Sequence, residues 1–247
     1  MRAVVVIVAL SGCGRIGFDN LVDATATLPG GVPAIWYRTD ETSGTILHDS
    51  GLQGADASLT GTFAFTGTGV SFPAAAGYAM TAPLPGVFRT YPLTISVWAR
   101  PAPRSDETAN TFALLPFPPD AVSNDVPGFG GAGVGVDVWT DGVPGSHAYV
   151  DSGGDYEGAP FVANQRYHLV AVYDGTQASL YVDGALATGL TTTALDGAAA
   201  NLFVGAHNLD TGYGSKRFFV GELSDVRVFT AALSAQDVAQ LHALGAI

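Results

Sequence analysis

Tyr167-His168-Leu169-Val170-Ala171-Val172-Tyr173-Asp174-Gly175, followed at once by Ala178-Ser179-Leu180-Tyr181-Val182-Asp183-Gly184, decides the fold. The first run is apolar on both of its faces, which predicts a central strand covered from either side. The second alternates, with Leu180 and Val182 on one face and Ser179 and Tyr181 on the other. Each run ends in Asp-Gly, the pair that supplies the positive φ of a tight hairpin turn. Two hairpins in succession make an antiparallel meander.

Working outward, strand-like runs recur at Leu93 to Arg100, Thr111 to Phe117, Gly133 to Thr140, His147 to Asp151 and Asn201 to Ala206. In Gly133 to Thr140 the residues Val134, Val136 and Val138 share a face. The one convincing helix is at the C-terminus. Ser234 is its N-cap, with Asp237 at the third position of a capping box, and Leu233 and Val238 occupy the staple positions. Val238, Leu241 and Leu244 form its apolar stripe, and Gly245 closes it. The 247 residues are 47% hydrophobic and 13% charged, with 32 Gly and 14 Pro. That composition argues against long disordered tracts and for many turns between short strands. No repeat of 34 to 50 residues is present, so a solenoid or propeller is not indicated. Acidic residues outnumber basic ones 22 to 10. No basic stripe exists to neutralise nucleic-acid phosphates or anionic lipid, so neither is an expected partner.

Several further motifs follow one order. Asp40-Glu41-Thr42-Ser43-Gly44-Thr45 precedes Asp49-Ser50-Gly51, and Leu93-Thr94-Ile95-Ser96-Val97-Trp98-Ala99-Arg100-Pro101 follows. The two hairpin runs come next, and the series closes on Phe219-Val220-Gly221-Glu222-Leu223-Ser224-Asp225-Val226-Arg227-Val228-Phe229 and Ala232-Leu233-Ser234. This series resembles the laminin-G-like, concanavalin A-like jelly-roll domains of bacterial surface proteins, over about residues 33 to 247. The resemblance implies an all-β, two-sheet antiparallel jelly-roll sandwich with a short C-terminal helix. It does not select a function, because the fold hosts lectin-like modules, adhesion modules, hydrolases and lyases. It also implies a structural calcium between the first motif and the last strand, held by Asp40 or Glu41 with Asp225 and carbonyls near Gly44. Ser224 stands where the family often has Asp. A solvated turn with an Asp225–Arg227 pair is the alternative.

At the N-terminus, Met1-Arg2, an apolar run from Ala3 to Leu10 and Ser11-Gly12-Cys13 make a signal-peptide pattern. Eight apolar residues are too few to span a bilayer, which takes about 20. Leu10-Ser11-Gly12-Cys13 resembles the lipobox of bacterial lipoproteins, which implies cleavage before Cys13 and its acylation. Residues 1–12 are then the signal peptide, 13–32 a flexible tether and 33–247 the jelly roll. The expected location is the cell envelope: outer membrane, periplasm or cell surface. Cys13 is the only cysteine, so an intrachain disulfide is excluded.

Catalytic signatures are sparse. Gly128-Phe129-Gly130-Gly131-Ala132-Gly133 fits a dinucleotide fingerprint in letters, but an alternating strand follows it where a helix would be needed. No P-loop, GxSxG or HExxH occurs. Glycoside hydrolysis needs two facing carboxylates. Of the four glutamates, Glu41, Glu107, Glu157 and Glu222, none pairs with a second carboxylate on an evident strand, and Asp155 and Glu157 read as part of a Gly-rich loop from Asp151 to Gly158. The five histidines lack metal-ligand spacing, and His168 reads as a hydrogen-bonded core residue. Trp98 reads as core, while Trp139, Tyr149, Tyr156 and Tyr213, with Asp155, lie near strand ends or Gly-rich loops. Such rings stack on sugar faces while carboxylates fix hydroxyls. The expectation is a lipid-anchored, non-catalytic recognition module for a glycan or a surface protein, with a purely structural or adhesive domain and a polysaccharide hydrolase or lyase as the alternatives.

Overall fold

The computed structural model describes residues 28–74, 76–103, 108–114, 134–140, 147–151, 155–160, 162–191, 201–206 and 218–246. In chain order the strands are β1 (Ile35–Tyr37), β2 (Ile46–Leu47), β3 (Ala57–Thr60), β4 (Ala64–Phe65), β5 (Val70–Phe72), β6 (Tyr78–Thr81), β7 (Leu93–Pro101), β8 (Thr108–Leu114), β9 (Val134–Thr140), β10 (His147–Asp151), β11 (Asp155–Pro160), β12 (Tyr167–Tyr173), β13 (Gln177–Val182), β14 (Ala185–Thr191), β15 (Phe203–Val204) and β16 (Gly221–Phe229). They are followed by the helix α1 (Ala235–Leu244).

One layer is a sheet in the order β14-β13-β12-β7-β16-β5-β4, with β1 also pairing with β16. The other layer consists of two four-stranded sheets, β15-β6-β3-β2 and β11-β10-β9-β8, with β15 beside β8. Every strand pairing is antiparallel, as expected of a jelly-roll sandwich. Alternate residues of the first layer fill the space between the layers: Leu93, Ile95, Val97 and Ala99 of β7; Leu169, Ala171 and Tyr173 of β12; Leu223, Val226 and Val228 of β16. The other set, Val170, Val172 and Phe229, is not left to water. Leu233 and the helix residues Val238 and Leu241 cover it, so β12 is buried along its whole length. Its unbroken apolar sequence is therefore explained by a core on one side and a helix on the other.

The expected turns form. Asp174 Oδ1 accepts hydrogen bonds from the Thr176 and Gln177 amides at 2.7 and 2.8 Å, which holds its carboxyl below the usual range. Asp183 and Gly184 have φ of 51° and 81°, the two positive values of a type I′ turn. At α1 the Ser234 side chain accepts from the Asp237 amide and Asp237 returns a bond to the Ser234 amide, while Gly245, at φ 76°, ends the helix.

Three segments differ from the sequence reading. β8 begins at Thr108, paired with Thr140, so cross-strand pairing starts the strand three residues ahead of its apolar stretch. The segment Asp151 to Gly158, expected as a loop, begins on the last residue of β10 and takes in the first four residues of β11, where pairing with β10 overrides the poor strand propensity of Asp155 and Gly158. Asn201 to Ala206 shrinks to a two-residue strand, ended by Gly205 at φ 86°. Residues 116–131, expected as a loop, lie outside the described residues, as do residues 1–27, expected as the leader and most of the tether.

Gly221, at the start of β16, has φ 144°, and a Cβ there would stand 2.4 Å from the Arg100 carbonyl oxygen and 2.8 Å from the Phe219 ring. Gly221→Ala is expected to destabilise the fold by about 2 kcal/mol or more, since both a rarely adopted φ and a backbone clash oppose it. Urea unfolding of the two proteins checks this through the shift in midpoint at unchanged slope.

Candidate functional site

Two faces of the sandwich carry chemistry-bearing residues. On the first layer the outward positions of β7, β12 and β16 hold Ser96, Trp98, Arg100, His168, Glu222, Ser224 and Arg227. Arg100 and Glu222 are register partners and pair at 2.6 Å, Glu222 being buried. Ser224 lies opposite Trp98, and Arg166 donates to its hydroxyl while standing 5.1 Å from the Trp98 ring. Trp98, expected in the core, is half-buried on this outer face, with the His168 and His242 rings 4.8 and 5.5 Å away. Helix α1 supplies His242, so the helix docks on an aromatic platform as well as on its apolar stripe.

His168 is buried and shares a 2.9 Å hydrogen bond with Ser96, as a core histidine should. Burial, then the neighbouring His242 and then the Arg227 guanidinium push its pKa down to about 3. The imidazole is therefore neutral in the fold at ordinary pH, with one ring nitrogen bonded to Ser96 and Nδ1 buried without a hydrogen-bond partner.

Asp225 is buried beside Arg227 on the same strand. Its φ of 50° marks a bulge at which the β16–β7 register shifts between Ser224 and Arg227. Both carboxylate oxygens are engaged. Oδ1 accepts from Arg227 Nε at 2.8 Å and from the Trp36 indole N–H at 2.7 Å, and Oδ2 accepts from Arg227 Nη2 at 2.7 Å.

Of the residues named for calcium with Asp225, Asp40 and Glu41 have other partners. Asp40 is exposed and 3.7 Å from Arg38. Glu41 turns to accept from the His48 amide through Oε1, although its Oε2 is buried without a hydrogen-bond partner. Asp49 of the second motif is consumed by the backbone, accepting from the Trp36, Gly51 and Ala55 amides. Its task is to fold the loop that leads from β2 to β3. Among the described residues no three His, Cys, Asp or Glu side chains stand together as a metal site.

The second face belongs to the β8–β11 sheet and is read from strand register. Thr111, Asp137, Tyr149 and Glu157 are successive Cα partners across the four strands. Trp139 is opposite Ala109 and His147, and Gly135 is opposite Ala113 and Asp151, which pairs in turn with Asp155. Directly opposed antiparallel residues share a face. One face thus carries Asp137, Trp139, His147, Tyr149, Asp151, Asp155 and Glu157. The alternate set contains Phe112, Leu114, Val134, Val136, Val138 and Val150, the composition that a sandwich interior needs.

Of the sequence-predicted ligand residues, Trp139, Tyr149 and Asp155 fall on the same face. Tyr156, the partner of Val150, takes the alternate register and is separated from them. Tyr213 and the acylation candidate Cys13 lie outside the described residues. Sequence reading missed Asp137 and Glu157 as neighbours of Tyr149. The signal for Asp137 was present, since it alternates with the three valines of β9. Glu157 could not be placed without the register of β11.

The sequence profile described as the concanavalin A-like lectin/glucanases superfamily matches residues 73–239. The chain belongs to this superfamily. No curated protein matches it at significant similarity. Among solved structures, a sialidase of Trypanosoma rangeli in complex with the inhibitor DANA aligns at 16% identity and a TM-score of 0.63, over 86% of this chain and 33% of the sialidase. This chain therefore spans about one third of that protein. Domain 4 of a GH43 extracellular arabinanase from Geobacillus stearothermophilus, in complex with arabinotriose, aligns at 17% identity and 0.60, over 85% of this chain and 98% of that domain. The receptor-binding domain of a botulinum neurotoxin mosaic serotype C/D aligns at 11% and 0.60, over 87% and 51%. At these identities the likeness is one of fold.

His168 generates a pH prediction. The unfolded chain takes up a proton near pH 6.5 while the fold refuses it until about pH 3, so stability is complete above about 6.5 and is lost as pH falls through that window. The slope for one group is about 1.4 kcal/mol per pH unit at most. Urea unfolding from pH 7 to pH 4 should show this decline, and His168→Gln should flatten it.

Proposed function

We propose that this concanavalin A-like domain is a non-catalytic glycan-recognition module. Its site is the face of the β8–β11 sheet that carries Trp139 and Tyr149. The observation behind the reading is the cross-strand row Thr111–Asp137–Tyr149–Glu157, with Trp139 one register step away. Aromatic rings offer stacking surfaces to sugar C–H faces, and carboxylates and hydroxyls accept and donate to sugar hydroxyls. Rigid strands hold such groups at fixed spacing, which lowers the ordering cost of binding. The arabinanase domain solved with arabinotriose is a fold-level parallel.

The four strands of this sheet contain no Lys or Arg. Anionic sugars would meet Asp137, Asp151, Asp155 and Glu157 with no counter-charge from these strands, so the site favours neutral or amine-bearing glycans. A glycan array should return a ligand of that kind. Trp139→Ala and Tyr149→Ala should each weaken binding by roughly 1–3 kcal/mol, about 10- to 150-fold, with the fold intact by circular dichroism. Tyr156→Ala, on the alternate register, should leave affinity within about twofold. Loss of binding with Tyr156→Ala alone, or turnover of a polysaccharide that disappears with Glu157→Gln, would sink the reading.

The module is presented at the cell envelope by a lipid on Cys13, as the Leu10-Ser11-Gly12-Cys13 pattern supports. Cys13→Ala should move the protein from the membrane fraction to the soluble fraction and abolish incorporation of a labelled fatty acid. Unchanged fractionation would remove the anchor.

A further inference from the structure

We infer that the buried guanidinium of Arg227 fills, at Asp225, the place that the family resemblance assigns to a structural calcium ion, making this part of the fold self-sufficient in cation. A calcium ion needs 6 to 8 oxygens, with carboxylates left free to ligate it. Asp225 has no such freedom. Arg227 holds both oxygens in a bidentate fork, both residues are 2% exposed, and the Trp36 indole takes a second lone pair of Oδ1. The strand itself delivers the cation. Without the bulge, Asp225 and Arg227 would simply be two residues apart on a regular strand. The left-handed φ at Asp225 shifts the register and leaves the carboxylate against the guanidinium two residues on.

The surroundings are built for that guanidinium. Its carbon stands 4.8 Å from the centre of the Trp36 ring, the geometry of a cation on an aromatic face, and Trp36 is its register partner on β1. The Asp225 amide donates to Thr39 Oγ1 at 3.3 Å, tying the bulge to the chain just before Asp40. Asp40 then pairs with Arg38, whose guanidinium lies 5.4 Å from Trp36. Of the expected calcium set, Asp225 is thus held by one of the two arginines around this indole, while Asp40, exposed, lies 3.7 Å from the other without a hydrogen bond to its Nε. Among the described residues of this set, the unpartnered Glu41 Oε2 and the exposed Asp40 are the features that fit a bound cation. Glu41 is fixed to the His48 amide, and no His, Cys, Asp or Glu pair among the described residues joins it in a metal site. Ser224 completes the contrast. It stands where the resemblance puts a second Asp, and Arg166 donates to it, so a cationic side chain replaces what a carboxylate would need.

The test is thermal unfolding of the full mature chain in chelator, in buffer alone and in millimolar calcium. The expected result is one melting temperature in all three, within about 1 °C. Arg227→Met, which keeps the length but removes the charge, should lower it by on the order of 10 °C, because a buried carboxylate loses its partner. Asp225→Asn combined with Arg227→Met should recover part of that loss, since no unpaired charge remains. A melting temperature lowered by chelator in the wild type and insensitive to it in Asp225→Asn would overturn the assignment. A chelator effect that persists in Asp225→Asn places the metal elsewhere and leaves the assignment standing. If Arg227→Met fails to fold, the wild-type and Asp225→Asn titrations still decide.

Discussion

The bulge at Asp225 is the constraint on which the rest of the first layer depends. β16 is the strand to which β7, β5 and β1 all pair, β7 on one edge and the other two sharing the opposite edge. A regular strand would carry Leu223, Asp225 and Arg227 on one face, forcing two charges into the core. With one residue inserted at the register shift, Leu223, Val226 and Val228 face the core and Ser224, Arg227 and Phe229 the other side. Left-handed φ is uncommon outside glycine, and Asp is among the residues that tolerate it best. The hydrogen bonds to Arg227 and Trp36 offset that strain and the desolvation of the carboxylate.

From that strand, order spreads through contacts that are themselves specific. Thr94 Oγ1 donates to the Ala231 carbonyl at 2.7 Å and accepts from the Leu233 amide at 3.1 Å, fixing the chain between β16 and α1. The helix can then lay Val238 and Leu241 on Val170, Val172 and Phe229, and bring His242 to Trp98 and His168. The outer face of the first layer is thereby spent on structure: an apolar helix dock, a neutral histidine and two internal ion pairs, Arg100–Glu222 and Arg227–Asp225. In the second layer the β8–β11 register instead groups aromatic and acidic residues on one face, the face proposed for recognition.

The parts of the fold legible in sequence are those set by local chemistry. The Asp-Gly turns, the Ser234–Asp237 capping box and the doubly apolar β12 carry their causes within a few residues. Elements decided by distant partners were not legible. Nothing in Asp155 to Pro160 announces a strand until β10 is beside it. Trp98 looks like core by its apolar neighbours, yet alternation from Val97 and Ala99 puts it outside. Spacing alone does not choose between an Asp225–Arg227 pair and a calcium ligand, because on a regular strand the same residues share a face without a bulge.

The same limit applies to the face proposed for recognition. In sequence Trp139, Tyr149 and Asp155 are separate rings and carboxylates near strand ends, and register groups them while setting Tyr156 apart. In a sheet the side-chain period is two, so a one-residue error in register exchanges an entire face. Asp137 is the informative case. It sits between Val136 and Val138, and a reading that follows the valines passes over it, although the same alternation places Asp137 with Trp139 on the opposite face of the strand. A binding face on a sandwich is the complement of a core face, so it is found by asking what the residues between the buried ones have in common. Here that is a row of aromatic and acidic groups unaccompanied by any lysine or arginine of the same four strands.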